Sequence, residues 1–405
     1  MNAESTREAL DVASLAGDIL LASGAEIFRV EETIDRIARA YGVDSSDAFV
    51  LSSGIFLTAE SGKKQEFARV RHIPLSAARL DKVTAVNQLS REIEEGLHMP
   101  KEAKAWLLDI QRMPDKPRWH QVLASGVGSA CFCFLFGGDV VDSMVAFLSG
   151  FVLYFYLLYL LRGRMSKIAT NISGGALVTL IAVFLYQAGI GHHLDKVIIG
   201  SIIPLVPGVN FTNGSGLHRG LGADARCTAC DVLHCARRRT DYHRISSTGG
   251  RAAAMSDTIR LIAEFFAACV GTIAFALLFQ VPRKYYLYCG LAGACGWICY
   301  KLILPHTTEP VSIFFATVLV ILLSRSFAVY KRCPVTVFLI AGIFPLVPGS
   351  GIYWTAFYVV TNDLERAGAR GFLTLKDAVA IVLGILFVFE FPQSWFRKVL
   401  TDKSK

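Results

Sequence analysis

The feature that most constrains this chain is the pentapeptide PLVPG, which occurs twice. Pro204, Leu205, Val206, Pro207 and Gly208 form the first copy, and Pro345, Leu346, Val347, Pro348 and Gly349 form the second, 141 residues later. Each follows an uncharged apolar lead, Ile198 to Ile203 before the first and Leu339 to Phe344 before the second. Two prolines and a glycine leave backbone groups without helical partners. Hydrocarbon cannot satisfy those groups, so such a break belongs inside a protein bundle or against a water-filled cavity. Matched interruptions in the two halves of a membrane chain point to a transport site. The plainer alternative is a helix end with a proline stop at each place, and the pairing favours transport over it.

Composition supports a bilayer setting. The chain is 53% apolar and only 18% charged, below the usual quarter for soluble proteins. About twenty apolar residues cross a bilayer. Candidate spans run over 119–138, 140–161, 168–188, 197–213, 259–282, 285–304, 311–329, 333–354 and 375–392. The expected fold is a polytopic α-helical membrane protein of about nine to ten spans in two modules, behind an N-terminal cytoplasmic α+β domain. The domains read as 1–115 (cytoplasmic front), 116–213 (first membrane module), 214–254 (an anomalous basic segment) and 255–405 (second module). The opening residues are acidic and amphipathic (Glu4, Glu8, Asp11), unlike a signal peptide. The net charge of +8 does not point to nucleic acid, because many basic residues flank apolar runs. Most cysteines lie within those runs and read as small packing residues.

Short basic loops orient the spans. Arg162, Arg164 and Lys167 place their loop, and with it the front, in the cytoplasm of a multi-pass cell-membrane protein. Arg283 and Lys284, the group Arg325, Lys331 and Arg332, and the tail basic residues belong on the same side. That requires one crossing between about Asn213 and Met255. Yet residues 214–254 hold seven arginines, three histidines, three cysteines and almost no apolar run. Cys227, Cys230, His234 and Cys235 suggest zinc, but adjacent His234 and Cys235 rarely ligate one tetrahedral ion together, so no metal site is assigned. A long basic loop is the ordinary reading. Out-of-frame translation in place of a fifth span accounts better for the abrupt shifts at Asn213 and Met255. A re-entrant first PLVPG also repairs the parity.

In the front, Val12, Leu15, Ala16, Ile19 and Leu20 repeat at helical spacing, as do Ile27, Val30, Ile34, Ile37 and Ala38. Phe49–Ala59 and Glu66–Ile73 read as two extended segments around a turn at Ser61–Lys64. Asp81–Leu97 returns to helical spacing. Glu26, Arg29, Glu31, Glu32, Arg69 and Arg71 could line a site, although a solvated charged face explains them slightly better. No nucleotide loop, HExxH or nucleophile elbow is present, so no catalytic residue and no cofactor is assigned.

The front resembles the N-terminal domain of the threonine/serine exporter family through Ala16–Ile34, Gly54–Thr58, Arg69–Arg71 and Asp81–Arg91. Pro204–Asn213 resembles its first membrane module, and Cys333–Thr355 its smaller partner domain. That family includes succinate exporters built from two separate subunits. The resemblance implies a cytoplasmic front, two membrane modules of about five spans each, and export of small amino acids or dicarboxylates.

The leading expectation is therefore a secondary exporter of a small polar metabolite. Its transport path would run by Pro204, Pro207, Gly208, Asn210, Thr212 and Asn213 in the first module and Pro345, Pro348, Gly349, Ser350 and Tyr353 in the second, with Asn171 and Trp354 as further polar contacts. Ionisable coupling candidates are Asp142, Glu264 and Glu390, since an acid inside a span is costly and usually functional; hydrated positions at span ends are equally compatible. Gly290, Gly293 and Gly296 permit close helix contacts, within one chain or in a homo-oligomer. The alternatives are a membrane-anchored hydrolase and a ligand-sensing membrane protein using the front.

Overall fold

The computed structural model describes residues 3–43, 45–51, 54–61, 65–73, 78–161, 166–205 and 252–391. They divide into two compact units. One holds residues 1–116 with two short stretches from far along the chain, 279–285 and 328–337; the other holds 117–278, 286–327 and 338–405.

The first unit begins with α1 (Ala3–Ala22) and α2 (Ile27–Ala40). Strands β1 (Ser45–Leu51), β2 (Gly54–Ser61) and β3 (Gln65–His72) follow, then α3 (Leu80–Glu94) and α4 (Pro100–Gln111). The strands form one antiparallel sheet in the order β1-β2-β3. Leu51 stands opposite Gly54, and Ser61 opposite Gln65. The run Phe49–Ala59, read from its composition as one extended segment, is thus two strands. A Ser-Ser doublet is a weak turn signal beside glycine or proline, which is why periodicity alone passed over it. The apolar positions of the helical repeats meet in a core of Val12, Ala16, Ile34, Ile37, Val86 and Ile93, with Ile55 and Leu57 from β2. A Cβ at Gly17 would lie 2.6 Å from Ile34 Cδ1, so α1 and α2 touch closely.

Arg79 ties this unit together. Its amide donates to the Ser23 carbonyl, and its guanidinium donates to Asp81, Asp115 and the Met113 and Pro114 carbonyls. The distant stretch 279–285 joins by hydrogen bonds from main-chain amides of the front. The Leu80 amide donates to the Phe279 carbonyl at 3.2 Å, and the Lys116 amide to Gln280 Oε1 at 3.1 Å.

The second unit is helical. It comprises α5 (Arg118–Leu135), α6 (Val140–Phe155, continued by a π-helical stretch Tyr156–Leu161), α7 (Lys167–Gln187) and α8 (Leu194–Ile202). After the undescribed residues come α9 (Ala252–Leu278), α10 (Tyr286–Ile303), α11 (Glu309–Lys331), α12 (Thr336–Ile343), α13 (Gly349–Val360) and α14 (Leu364–Phe389). The ends of α11 and α12 nearest 328–337 belong to the first unit. Among the described residues, six stretches are long and apolar enough to cross a membrane: Val140–Leu161, Ala169–Gln187, Thr258–Leu278, Arg283–His306, Glu309–Lys331 and Leu364–Phe389. The bent pair Thr336–Leu346 and Gly349–Val360 makes a seventh if it is one span. The chain is a polytopic, mostly helical membrane protein. Helix α14 starts at Leu364, well before 375. The Asp363 side chain caps it by accepting from the Arg366 amide, and charged Arg366 and Arg370 hide its first turns from a hydropathy reading.

Small residues let these helices approach. Gly150 of α6 faces Ser129 of α5, and a Cβ at Gly200 of α8 would lie 2.8 Å from the Cys133 amide nitrogen. Gly293 of α10 faces Thr272 of α9 in the same way. Gly150→Val would force α5 and α6 apart, because the Ser125 carbonyl, 3.0 Å from the added Cβ, is backbone and cannot rotate away. The expected cost is about 1–3 kcal/mol, read as a lower unfolding temperature of the detergent-purified chain. An unchanged temperature would contradict the close packing.

Candidate functional site

The two PLVPG segments break their helices in related ways. Helix α8 ends in a tight 3₁₀ turn, Ile203–Leu205, which contains Pro204. Helix α12 ends in the corresponding turn Phe344–Leu346, which contains Pro345. Val347 is then extended (φ −63°, ψ 128°), and α13 restarts at Gly349 after Pro348. The axes of the two parts differ by 50°. Proline explains both features, since it lacks an amide donor and clashes with the preceding turn.

The breaks meet. Ile203, beside the first motif, lines one small cavity with Phe344, Val347 and Gly349 of the second. A Cβ on Gly349 would sit 4.0 Å from Ile199 Cγ2. Tyr353, one turn into α13, packs on a cluster built from four helices of the first half: Cys133, Val145, Ala146, Ala182, Val197 and Ile198. Phe344 stacks on Phe275 at 4.6 Å, and Phe275 meets Phe132 of α5 edge-on at 5.2 Å. Pro345 and Pro348 are buried, while Gly349, Ser350 and Tyr353 are partly open. Pro207, Gly208, Asn210, Thr212 and Asn213 lie outside the described residues, as do Cys227, Cys230, His234 and Cys235. Asn171 is exposed on α7, and Trp354 is half-buried beside Tyr353.

The ionisable candidates fall in three different settings. Asp142 is fully buried in the first turn of α6. Its Oδ1 accepts the amides of His192 (2.7 Å) and His193 (3.1 Å), and its Oδ2 takes the Asp139 amide (3.1 Å) and the His193 ring (2.8 Å). Asp139 caps the same helix and pairs with the His192 ring. The Asp142 amide, and after it the His192 ring, hold the Asp139 carboxyl below its usual range, and Asp139 in turn raises His192. Asp139, Asp142 and His192 bring ligand atoms within 4.8 Å of one another, but every Asp142 oxygen already has two donors. The set is a latch between the start of α6 and the approach to α8. Glu264 of α9 is 2% exposed. It accepts Trp297 Nε1 at 3.0 Å and faces Lys301 and Arg260, each at 3.3 Å. Glu390 is exposed at the end of α14. A fourth acid went unnoticed in the sequence: Asp377, 3% exposed within α14. The intramembrane-acid criterion would have found it, since it falls inside the 375–392 candidate span.

In the first unit, Glu31 Oε1 accepts the Val50 amide at 3.3 Å, and Glu32 pairs with Arg29 and Arg36. Arg71 lies 3.6 Å from Asp18, and the Arg69 side chain lies outside the described residues. Glu26 stands apart, 4% exposed with Oε2 unbonded. Burial pushes its carboxyl up to about 7, partly offset by Arg29.

Two mutational outcomes follow from these acids. Asp142→Ala strips the acceptor from three amides and a ring donor. It should cost about 3–5 kcal/mol and open 188–193 to proteolysis, whereas Asp142→Asn, which keeps one acceptor oxygen, should do less. Equal behaviour of both variants would remove the latch. The raised Glu26 favours its protonated form in the fold, so its contribution is present below the unfolded value near 4.5 and lost as pH rises through about 7. Hydrogen-exchange protection of Ile27–Ala40, corrected for intrinsic rate, should fall over that window, and Glu26→Gln should flatten it.

Comparison with known proteins agrees with this architecture. A family model described as "Putative threonine/serine exporter" matches residues 11–216, and one described as "Threonine/Serine exporter, ThrE" matches 264–390. The chain is 24% identical to a "Threonine/serine exporter" of Corynebacterium glutamicum over 93% of its own length and 81% of that protein's. It is 27% identical to the "Probable succinate transporter subunit YjjP" of Escherichia coli over 53% of its length and 83% of the relative's. No solved structure matches the chain.

Proposed function

This chain belongs to the threonine/serine exporter family, and we propose that its substrate crosses the membrane at the junction of the two broken helices. The protein is a transmembrane exporter of a family of transporters rather than enzymes. One observation carries the choice of path: Ile203 beside the first PLVPG and Phe344, Val347 and Gly349 of the second line the same cavity. Broken helices offer unpaired amides and carbonyls at membrane depth, which is what a polar solute needs in place of water. The path residues are Pro204, Pro207, Gly208, Asn210, Thr212 and Asn213 with Pro345, Pro348, Gly349, Ser350 and Tyr353. The substrate class is a small amino acid such as threonine or serine, or a dicarboxylate such as succinate, as the names of the relatives suggest.

Residues 1–115 are read as a cytoplasmic α+β domain, 116–213 as the first membrane module and 255–405 as the second. Stretches 279–285 and 328–337 pack in one unit with the front. Both carry basic residues, Arg283 and Lys284 in one and Lys331 and Arg332 in the other, which supports a shared cytoplasmic face. Counting α5 and α8 beside the seven stretches above brings the spans to nine; the tenth of the expectation lies outside the described residues. The two family matches leave 217–263 uncovered, in keeping with an out-of-frame origin of 214–254.

Cells producing the chain should lose threonine, serine or succinate faster than controls. Gly349→Leu, which fills the shared cavity, should cut that efflux at least tenfold at equal membrane abundance. Unchanged efflux of all three solutes would overturn the assignment, and unchanged efflux in the variant would move the path elsewhere.

A further inference from the structure

Three acids are buried in the helical unit, and two are answered by their surroundings. Asp142 has four donors, and Glu264 has an indole N–H and two cations. Asp377 has neither. Its Oδ1 is buried and accepts no hydrogen bond, and among the described residues it forms no ion pair. A carboxylate left this way among apolar helices is expensive to keep, and its cost is offset when a cationic group arrives.

The place of Asp377 says which group. Helices α13 and α14 run antiparallel in close contact: Gly371 faces Thr355, and Gly351 faces Thr374. Further along α14, Gly384 meets Thr317 of α11, with 3.0 Å from an added Cβ to the threonine Cβ. Thr374, Asp377 and Gly384 share one helix face at spacings of three and seven. Asp377 therefore lies between the α13 contact and the α11 contact. Continuing the α13–α14 register by one turn brings it level with Pro348 and Gly349, where α13 restarts. That restart has no side-chain cap; its Gly349 amide turns back to the Val347 carbonyl, and the Ser350 and Gly351 amides that follow are left for an anion.

We propose that Asp377 binds the ammonium group of the substrate while the start of α13 binds its carboxylate, so that the site takes an α-amino acid zwitterion. This rests on the transport path proposed above. The ionisable groups whose charge acts on Asp377 are Glu309 of α11 and Arg370 of α14. Two carboxylates, Asp377 and Glu309, repel a dicarboxylate and attract an ammonium. Arg370 lies two turns away on the same helix and leaves Asp377 without an ion pair.

The test uses the purified full chain in proteoliposomes, with labelled threonine, serine and succinate. Wild type should carry the amino acids, and excess 3-hydroxybutyrate, which is threonine without its ammonium, should not compete. Asp377→Asn should raise the half-saturation concentration for threonine at least tenfold, with Asp377→Glu closer to wild type. Threonine, and not 3-hydroxybutyrate, should also raise the melting temperature of the wild-type protein, a readout independent of how the variants fold. Transport of succinate without amino acids overturns the zwitterion site while leaving the transport path standing. So does an Asp377→Asn protein with unchanged half-saturation, including one that loses only its pH dependence and thereby marks Asp377 as a proton carrier. Failure of wild type to move any of the three overturns both.

Discussion

Everything in the helical unit follows from one constraint: within an apolar surround, each backbone polar group and each charge must be answered by the protein itself. Unbroken helices meet it along their length. The glycine contacts, such as Gly150 against Ser129 and Gly293 against Thr272, then let backbones approach without polar side chains. The two PLVPG segments are where the constraint is deliberately not met by the helix. Ile203, which leads into the first, shares a cavity with Phe344, Val347 and Gly349 at the second, and Phe344, Phe275 and Phe132 pack ring to ring between the two halves of the chain.

The buried acids show the same rule as a sorting device. Asp142 and Glu264 look alike in the sequence, each an acid near an apolar run. The fold gives Asp142 three of its four donors from a loop fifty residues away and the fourth from the Asp139 amide, and gives Glu264 Trp297 and Lys301 from the next helix. Such acids hold parts together. An acid with no answering group is free to answer something that comes and goes. Burial alone does not separate these cases; the donor inventory does.

Local signals in the sequence carried much of this architecture. The apolar leads, the second break and most helical repeats are properties of consecutive residues, and they reappear as α8 with its 3₁₀ turn and as α12 and α13 on either side of theirs; the first break beyond Leu205 lies outside the described residues. The β1–β2 turn and the early start of α14 were less visible, because a serine doublet and two arginines are weak or misleading punctuation. The partners of Asp142 and Glu264 were not legible at all. They depend on which loop returns to which helix end, and no spacing rule encodes that. Asp377 was within reach of the acid-in-span criterion: it stands beside exposed Lys376, but in a helix adjacent residues point about 100° apart, so one can be exposed and the other buried.

The two halves of the chain meet just after the second copy of the motif. The second copy of the motif is followed directly by α13, whose Tyr353 reaches across to a cluster formed by α5, α6, α7 and α8. That contact makes the restart after the break part of the first half's packing. A shift of α13 would have to move Tyr353 against Val197 and Ile198 of α8, which lead into the first break. The two breaks are therefore mechanically joined, and an alternating-access motion that opened one without the other would have to unpack this cluster. Packed interfaces of this kind favour discrete rearrangements over gradual ones, which suits a transporter that must never open both ways at once.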